Sequence, residues 1–128
     1  MRRFTIAAIC LVWLYIPAQA QTDCPLGSFG CGHEKNHEQY MKWHREPTEE
    51  QKANGVKGMH CCSEGDCRPT KAYKDDDGVW HAWDGEKYRT VPDYALLPPE
   101  YLEDGRSHLC APKYGDLVYC FTPSQPRI

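Results

Sequence analysis

Two histidines four residues apart are the part of this sequence that most closely matches a chemical motif. The segment His33–His37 reads HEKNH and satisfies H-E-x-x-H. On a helix this spacing places both imidazoles on one face to bind Zn²⁺, while Glu34 activates a bound water. A third ligand is not evident, because His44 is one residue beyond the spacing of the longer zinc-protease motif and Glu64 lies among cysteines. A metal-binding protein or zinc-dependent hydrolase that uses this motif is therefore the alternative hypothesis. The main expectation is that the protein has no resident metal, no cofactor and no catalytic residue.

A second cluster of chemically active side chains occupies residues 60–67, which read HCCSEGDC. It lacks the fourth ligand of a zinc finger, and it contains no C-x-x-C pair of the kind that thioredoxin-like proteins use. Adjacent cysteines rarely bond to each other, because the small ring strains the peptide. We therefore expect Cys61 and Cys62 to reach separate partners, so that two disulfides diverge from this segment. The odd number of cysteines after residue 20 leaves a thiol–disulfide exchange role as a third hypothesis.

Residues 1–20 are typical of a removable export signal. Two arginines precede the apolar run 4–16, and the small-residue triplet Ala18-Gln19-Ala20 offers a cleavage site before Gln21. The run is too short to cross a bilayer, which needs about 20 apolar residues, and no later segment is more apolar. We therefore expect a periplasmic or secreted protein that does not insert into a membrane after cleavage.

Charge and cysteine content restrict the class of the expected mature chain. Without Arg2 and Arg3, 13 basic and 18 acidic side chains remain, a net charge of −5. This acidic balance argues against nucleic acid as a partner, because nucleic acid needs clustered positive charge. Seven of the eight cysteines follow residue 20, and such a density in an exported chain indicates disulfides.

The apolar residues available for a core are few. After residue 20 there are 13 residues of Leu, Ile, Val and Met and 12 aromatic residues. Cross-links compensate for so thin a core by restricting the unfolded chain, at roughly 2–4 kcal/mol each. Trp80, Trp83, Tyr88 and Tyr94 could form an aromatic binding surface, but with so few aliphatic residues we expect them in the core.

Local patterns predict an α+β fold in a single disulfide-stapled domain, residues 33–128, after an irregular N-terminal arm at 21–32. Helical spacing predicts one helix near 34–45, and Thr48–Gln51 reads as the capping box of a short second helix. The Asp84-Gly85 pair predicts a two-residue hairpin loop. We expect the first helix to pack on an antiparallel sheet of about four strands between residues 67 and 121.

The last hairpin allows a more specific prediction. Cys110 and Cys120 should lie on facing strands with their side chains on one face, because pairing them centres the turn on Gly115. Each cysteine can then bond to the other or reach the segment 61–67. We favour the second arrangement, since longer cross-links remove more entropy from the unfolded chain.

Three stretches of the chain resemble a group of small exported proteobacterial proteins: residues 60–69 (HCCSEGDCRP), 104–110 (DGRSHLC) and 119–121 (YCF). The segment 37–43 is similar to their N-terminal part, so the resemblance covers about residues 37–121. It implies a scaffold rather than a reaction, with Cys24 and Cys31 as an addition in this chain. The resemblance also implies a framework made of Cys61, Cys62, Cys67, Cys110 and Cys120.

These observations favour a non-enzymatic exported binding or structural module over an enzyme, since no catalytic set is complete. A rigid loop between Cys62 and Cys67 could serve as a recognition tip. The expected partner is an envelope or extracellular protein, in the manner of an inhibitor.

Overall fold

The computed structural model describes residues 24–62, 65–99 and 104–124. The expected export signal and its cleavage site before Gln21 lie outside these residues. The described residues form two α-helices and eight short strands. In chain order these are α1 (His33–Tyr40), β1 (His44–Arg45), α2 (Glu49–Ala53), β2 (Met59–His60), β3 (Cys67–Thr70), β4 (Ala72–Lys74), β5 (Trp80–Trp83), β6 (Tyr88–Thr90), β7 (Ser107–Cys110) and β8 (Cys120–Thr122).

The strands form three separate antiparallel sheets, so the predicted fold of one helix on a four-strand sheet is wrong. The sheets have the strand orders β1-β2, β3-β7-β8 and β4-β5-β6. Residues 67–73 read as one strand in the sequence, but the chain leaves the sheet of β3 at Lys71 and enters another at β4. A change of sheet within a strand-like run leaves no trace in the alternation of residue types, because both segments are extended.

The first helix is also shorter than predicted. α1 ends at Tyr40 instead of continuing to about residue 45, because the chain turns at residues 41–42 and then pairs with β2. This turn buries both Tyr40 and Trp43, whose rings contact each other edge to face at 4.9 Å. The capping box of α2 is confirmed: the side chain of Gln51 accepts from the Thr48 backbone, and Thr48 accepts from the Gln51 N–H.

Three disulfides connect the described segments. Cys24 bonds to Cys31 within the N-terminal arm, Cys61 bonds to Cys120, and Cys67 bonds to Cys110. Cys110 and Cys120 are direct cross-strand partners in β7 and β8, which confirms the predicted hairpin. Both bond to the segment 61–67 and not to each other, as the entropy argument predicted.

The core consists of two clusters. The first is built on the two long disulfides together with Tyr40 and Trp43, and Cys62 lies within it. The second is aliphatic and aromatic, and it joins β5 to the β7–β8 hairpin through Ala82, Val91, Ala95, Leu109, Ala111, Val118 and Phe121. The sheet β4-β5-β6 therefore packs one of its faces against the β3-β7-β8 sheet.

The N-terminal arm packs on both larger sheets. Gly27 donates its N–H to the Pro69 carbonyl and accepts from Nε of the fully buried Arg68. Gly27 has a φ of +81°, and a Cβ there would lie 2.5 Å from the Trp83 carbonyl oxygen. A left-handed backbone in so close an approach requires glycine. The arm is therefore part of the folded body.

Across the described part of the chain, no helix combines the length and the apolar character needed to span a membrane.

Candidate binding face

The outer face of the β4-β5-β6 sheet carries four aromatic rings. Tyr73 of β4 pairs with His81 of β5, and Trp83 of β5 pairs with Tyr88 of β6. Alternate residues of a strand point to opposite faces, so these four side chains share one face. Tyr73 and Tyr88 are 47% and 40% exposed. We call this set of Tyr73, His81, Trp83 and Tyr88 the aromatic face.

The rings of the aromatic face contact one another in a continuous array. The Tyr73 and His81 rings are stacked with centroids 4.9 Å apart and planes 16° apart. The Tyr88 ring stands edge-on to both Tyr73 and Trp83, at 4.9 and 5.0 Å. Aromatic pairs favour these offset and edge-to-face geometries because ring faces are negative and ring edges positive. The array therefore holds its shape without a ligand.

A single lysine extends over this array. Lys71 precedes β4, and its Nζ lies 4.6 Å from the Trp83 ring centroid and 5.9 Å from that of Tyr88. An ammonium group over an aromatic ring is attracted by the ring quadrupole. The face thus combines apolar area with one exposed positive charge.

The opposite end of the face is fixed by a carboxylate. Asp75 accepts from Nε2 of His81 at 2.7 Å and from the backbone N–H groups of Asp77 and Val79. The hydrogen bond from His81 and those from the backbone hold the pKa of Asp75 below its ordinary value. Asp75 therefore orients the His81 ring and also closes the turn between β4 and β5.

A buried ion pair supports the turn between β5 and β6. Oδ2 of Asp84 accepts from Nε of Arg89 at 2.6 Å, and the two side chains are 5% and 1% exposed. Oδ1 accepts from the N–H groups of Glu86 and Lys87. Burial raises the pKa of Asp84, but these hydrogen bonds and the guanidinium together leave it below its ordinary value. The pair fixes the hairpin on which Trp83 and Tyr88 stand.

The four aromatic residues that the sequence suggested for the core divide among different positions. Trp80 packs inward, with its ring 5.5 Å from that of the buried Phe121. Trp83 and Tyr88 belong to the aromatic face, and Tyr94 is exposed beneath the guanidinium of Arg45. The expectation of an aromatic core is therefore wrong for Tyr88 and Tyr94.

The H-E-x-x-H segment is helical, as its motif requires. His33 and His37 lie on one face of α1 with Nε2 of His33 3.0 Å from Nδ1 of His37, and Glu34 is exposed beside them. In the described residues, no three side chains of His, Cys, Asp or Glu converge as ligands of one metal ion. Glu64, which the sequence offered as a third ligand, lies outside the described residues.

The cysteine cluster provides two disulfides and one thiol. Of the five cysteines that the resemblance placed in a shared framework, Cys62 is a buried free cysteine, and the other four are paired. Adjacent Cys61 and Cys62 thus do not each form a bridge. Cys62 forms no disulfide, so the segment from Cys62 to Cys67 is not the disulfide-bounded loop that the sequence suggested. Burial raises the pKa of the Cys62 thiol, which makes it a poor nucleophile at neutral pH.

A buried polar network lies beneath α1 and was not anticipated from the sequence. Asp104 accepts from Nε2 of His108 at 3.1 Å, so Nδ1 of the neutral imidazole accepts from the Tyr40 hydroxyl at 2.6 Å. Burial lowers the pKa of His108 and raises that of Tyr40, which favours the neutral form of each. These hydrogen bonds connect α1 to β7.

Comparison with models of known protein families, with curated proteins and with solved structures finds no match to this chain. The resemblance to small exported proteobacterial proteins stays a prediction.

The residues that sequence reasoning missed at the aromatic face are Lys71, Tyr73 and His81. Strand alternation was available as a signal, because residues 81 and 83 must share a face. The pairing of β4 with β5 that adds Tyr73 is a property of the folded sheet.

Proposed function

We propose that this chain is an extracytoplasmic, disulfide-stabilised binding module that holds a protein partner on its aromatic face. The observation that carries the proposal is the array of four contacting rings, in which Tyr73 and Tyr88 are exposed and His81 and Trp83 are half-buried. The disulfides are compatible with an oxidising location in the periplasm or outside the cell. The proposed partner is an envelope or extracellular protein.

The exposure of these rings supports a binding role because apolar residues are scarce in this chain. The second core cluster uses three alanines among its seven members, while Tyr73 and Tyr88 stay about half exposed outside it. A contiguous exposed patch of large aromatic groups with a polar rim is typical of an interaction site. Isolated exposed aromatic residues would not indicate an interaction site, but four rings in contact with one another do.

The chemistry of the face favours a protein ligand. Tyrosine and tryptophan dominate the residues that contribute most to protein–protein affinity, since they bury large area with few rotatable bonds. Lys71 adds one positive charge beside Trp83, so a carboxylate next to an apolar side chain on the partner would match the face. Nucleic acid also stacks on aromatic rings, but it needs a basic groove along its backbone. The turns that connect the three strands carry the exposed acidic residues Asp76, Asp77 and Glu86, which disfavours nucleic acid.

The preorganised geometry also supports binding. Ring–ring contacts, the Asp75–His81 hydrogen bond and the Asp84–Arg89 pair orient the side chains of the face within the free chain. Binding then costs less side-chain entropy than it would on a mobile surface.

Site-specific photocrosslinking in the cells that produce the protein tests this proposal. A benzophenone amino acid replaces Tyr73 or Tyr88 in turn, and Tyr114 in the control. Tyr114 is 78% exposed, lies outside the aromatic face and has its own lysine neighbour, Lys113. The proposal predicts a protease-sensitive adduct of one mass from both face positions and not from position 114.

Two alanine variants complete the test. With the crosslinker at position 73, Tyr88→Ala should reduce the adduct, because truncating a residue important for binding costs about 1–2 kcal/mol, or about five- to thirtyfold in affinity. Tyr114→Ala should leave it unchanged. Equal adducts from all three positions, or an adduct that Tyr88→Ala does not reduce in a variant with unchanged circular dichroism, would refute the proposal.

A further inference from the structure

The H-E-x-x-H segment, which the proposed function does not use, places two imidazoles at one shallow depression. His33 and His37 are one helical turn apart, and their nearest nitrogens are 3.0 Å apart. Gly30, Glu34 and Gly65 complete the lining. The depression is open, so an ion from solution can reach both rings.

The backbone fixes the tautomer of one ring. Nδ1 of His33 lies 2.7 Å from the Cys67 carbonyl oxygen. Because a carbonyl only accepts, Nδ1 carries the proton, and the lone pair of Nε2 points away from β3 toward His37. Histidines that bind metals generally donate their second ring N–H to a carbonyl or carboxylate, which orients the ring and increases its basicity. His33 therefore makes, through its second ring nitrogen, the hydrogen bond that is typical of histidines that bind metals.

The distance between the two nitrogens fits a shared cation. Zinc–nitrogen bonds are about 2.0–2.1 Å long, so two such bonds at the tetrahedral angle separate their nitrogens by about 3.3 Å. The observed separation is 3.0 Å, at which Nδ1–H of His37 donates a hydrogen bond to Nε2 of His33. A metal ion would replace this proton, with the His37 ring taking the tautomer protonated at Nε2. His37 is exposed, and a small rotation of its side chain supplies the difference.

We propose that His33 and His37 bind one divalent transition-metal ion of the Zn²⁺ type, with water completing its coordination. Imidazole nitrogen suits such ions. Two protein ligands and solvent make an open, exchangeable site, in contrast to the four-ligand sites that hold structural zinc. The site and the aromatic face share no residue, so either proposal can fail without the other.

The thiol of Cys62 is not part of this site. Its sulfur is 3.9 Å from both ring nitrogens of His33. An atom equidistant from the two nitrogens does not lie on the lone-pair direction of Nε2. The set therefore has two protein ligands, in keeping with the lack of a three-ligand group in the parts of the chain described.

Calorimetric titration of the untagged, oxidised protein with ZnCl₂ tests the proposal. Zinc is the probe because it has no redox chemistry with the free thiol. We expect one ion per chain in the wild type. His37→Ala should weaken binding at least about tenfold, because even the loss of an outer-shell partner costs 10–100-fold. His37 is exposed, so this variant should keep the circular dichroism of the wild type.

A second histidine pair provides a matched control. The rings of His44 and His60, partners across β1 and β2, have centroids 4.3 Å apart. His60→Ala and Cys62→Ser should each leave the affinity for Zn²⁺ unchanged. No binding by the wild type, loss of binding in either control variant, or binding that His37→Ala retains would overturn the assignment.

Discussion

Removing the Cys67–Cys110 disulfide should destabilise the protein by about 3 kcal/mol. The bond joins β3 to β7 across a sequence separation of 43 residues, between two cysteines with no exposed surface. The loop-closure entropy of a cross-link grows with the logarithm of the loop length. Because the Cys61–Cys120 bond encloses this one and remains in the variant, the path that Cys67–Cys110 closes is about 16 residues, through the segments 61–67 and 110–120. A loop of this size corresponds to about 3 kcal/mol at 25 °C. The variant is Cys67→Ala with Cys110→Ala, because a double replacement leaves no new thiol and places no hydroxyl in the core.

The Cys24–Cys31 disulfide is the internal control for this prediction. It closes a loop with a separation of only seven residues, for which the same relation gives about 2.5 kcal/mol. Cys24→Ala with Cys31→Ala should therefore cost less than the removal of the long cross-link. The difference between the two variants, about 0.5 kcal/mol, is more reliable than either value, since errors in the relation are shared.

Urea-induced unfolding of the oxidised wild type and both double variants measures these differences. Each variant should unfold at lower urea concentration than the wild type, with the Cys67/Cys110 variant the least stable. A steeper dependence on urea is also expected, because a chain with fewer cross-links exposes more surface when it unfolds. If the Cys24/Cys31 variant is destabilised as much as or more than the Cys67/Cys110 variant, loop entropy is not the main contribution of these bonds.

Two further predictions concern carboxylates that hold the aromatic face. Asp84→Asn should lower the free energy of unfolding by about 3 kcal/mol in urea, because it leaves the buried Arg89 without its counter-charge; a loss below about 1 kcal/mol would contradict this. Asp75 has a pKa held below its ordinary value by its hydrogen bonds from His81 and the backbone, so its contribution to stability is present above about pH 4 and declines as the pH falls below it. The stability difference between wild type and Asp75→Asn, measured by thermal unfolding, should therefore shrink from pH 6 to pH 2, and a constant difference would refute the assignment.

The features predicted correctly from the sequence depend on few residues that are close along the chain. The capping box at Thr48 needs four consecutive residues. The cross-strand position of Cys110 and Cys120 follows from symmetry about one turn. In each case local chemistry restricts the backbone to one arrangement. A hairpin is present near Asp84-Gly85, but the predicted two-residue loop is wrong, because Trp83 pairs with Tyr88 and the connection covers residues 84–87.

The arrangement of the sheets depends on contacts between distant residues, and there the prediction failed. β3 pairs with β7 about 40 residues later, whereas β4 pairs with β5 within one hairpin. β3 and the start of β4 lie in the single strand-like run 67–73. Nothing in that run indicates that Lys71 separates two sheets, because the choice between partners is made by the disulfide Cys67–Cys110 and by packing.

The candidate face was only partly visible in the sequence for a related reason. Strand alternation predicts that the side chains of Trp83 and Ala82 point to opposite faces of the sheet. It does not predict which of the two faces is buried. The sequence favours burying tryptophan and exposing alanine, whereas the structure buries Ala82 completely. The requirement that decides is the fit of β5 against Phe121, which leaves room for a small residue.

The interior of this protein explains how a chain with so few aliphatic residues can leave aromatic rings outside. Arg68 is fully buried, and its guanidinium donates to the carbonyl groups of Gly27, Asp66 and Ala111. Burial lowers the pKa of Arg68 to about 10, so it stays charged at neutral pH, and its hydrogen bonds connect the N-terminal arm, β3 and the segment after β7. Together with the two long disulfides, such polar and covalent connections take the place of apolar contacts between the segments. The rings of Tyr73 and Tyr88 lie outside both core clusters, and this exposure is the observation on which the proposed binding role depends.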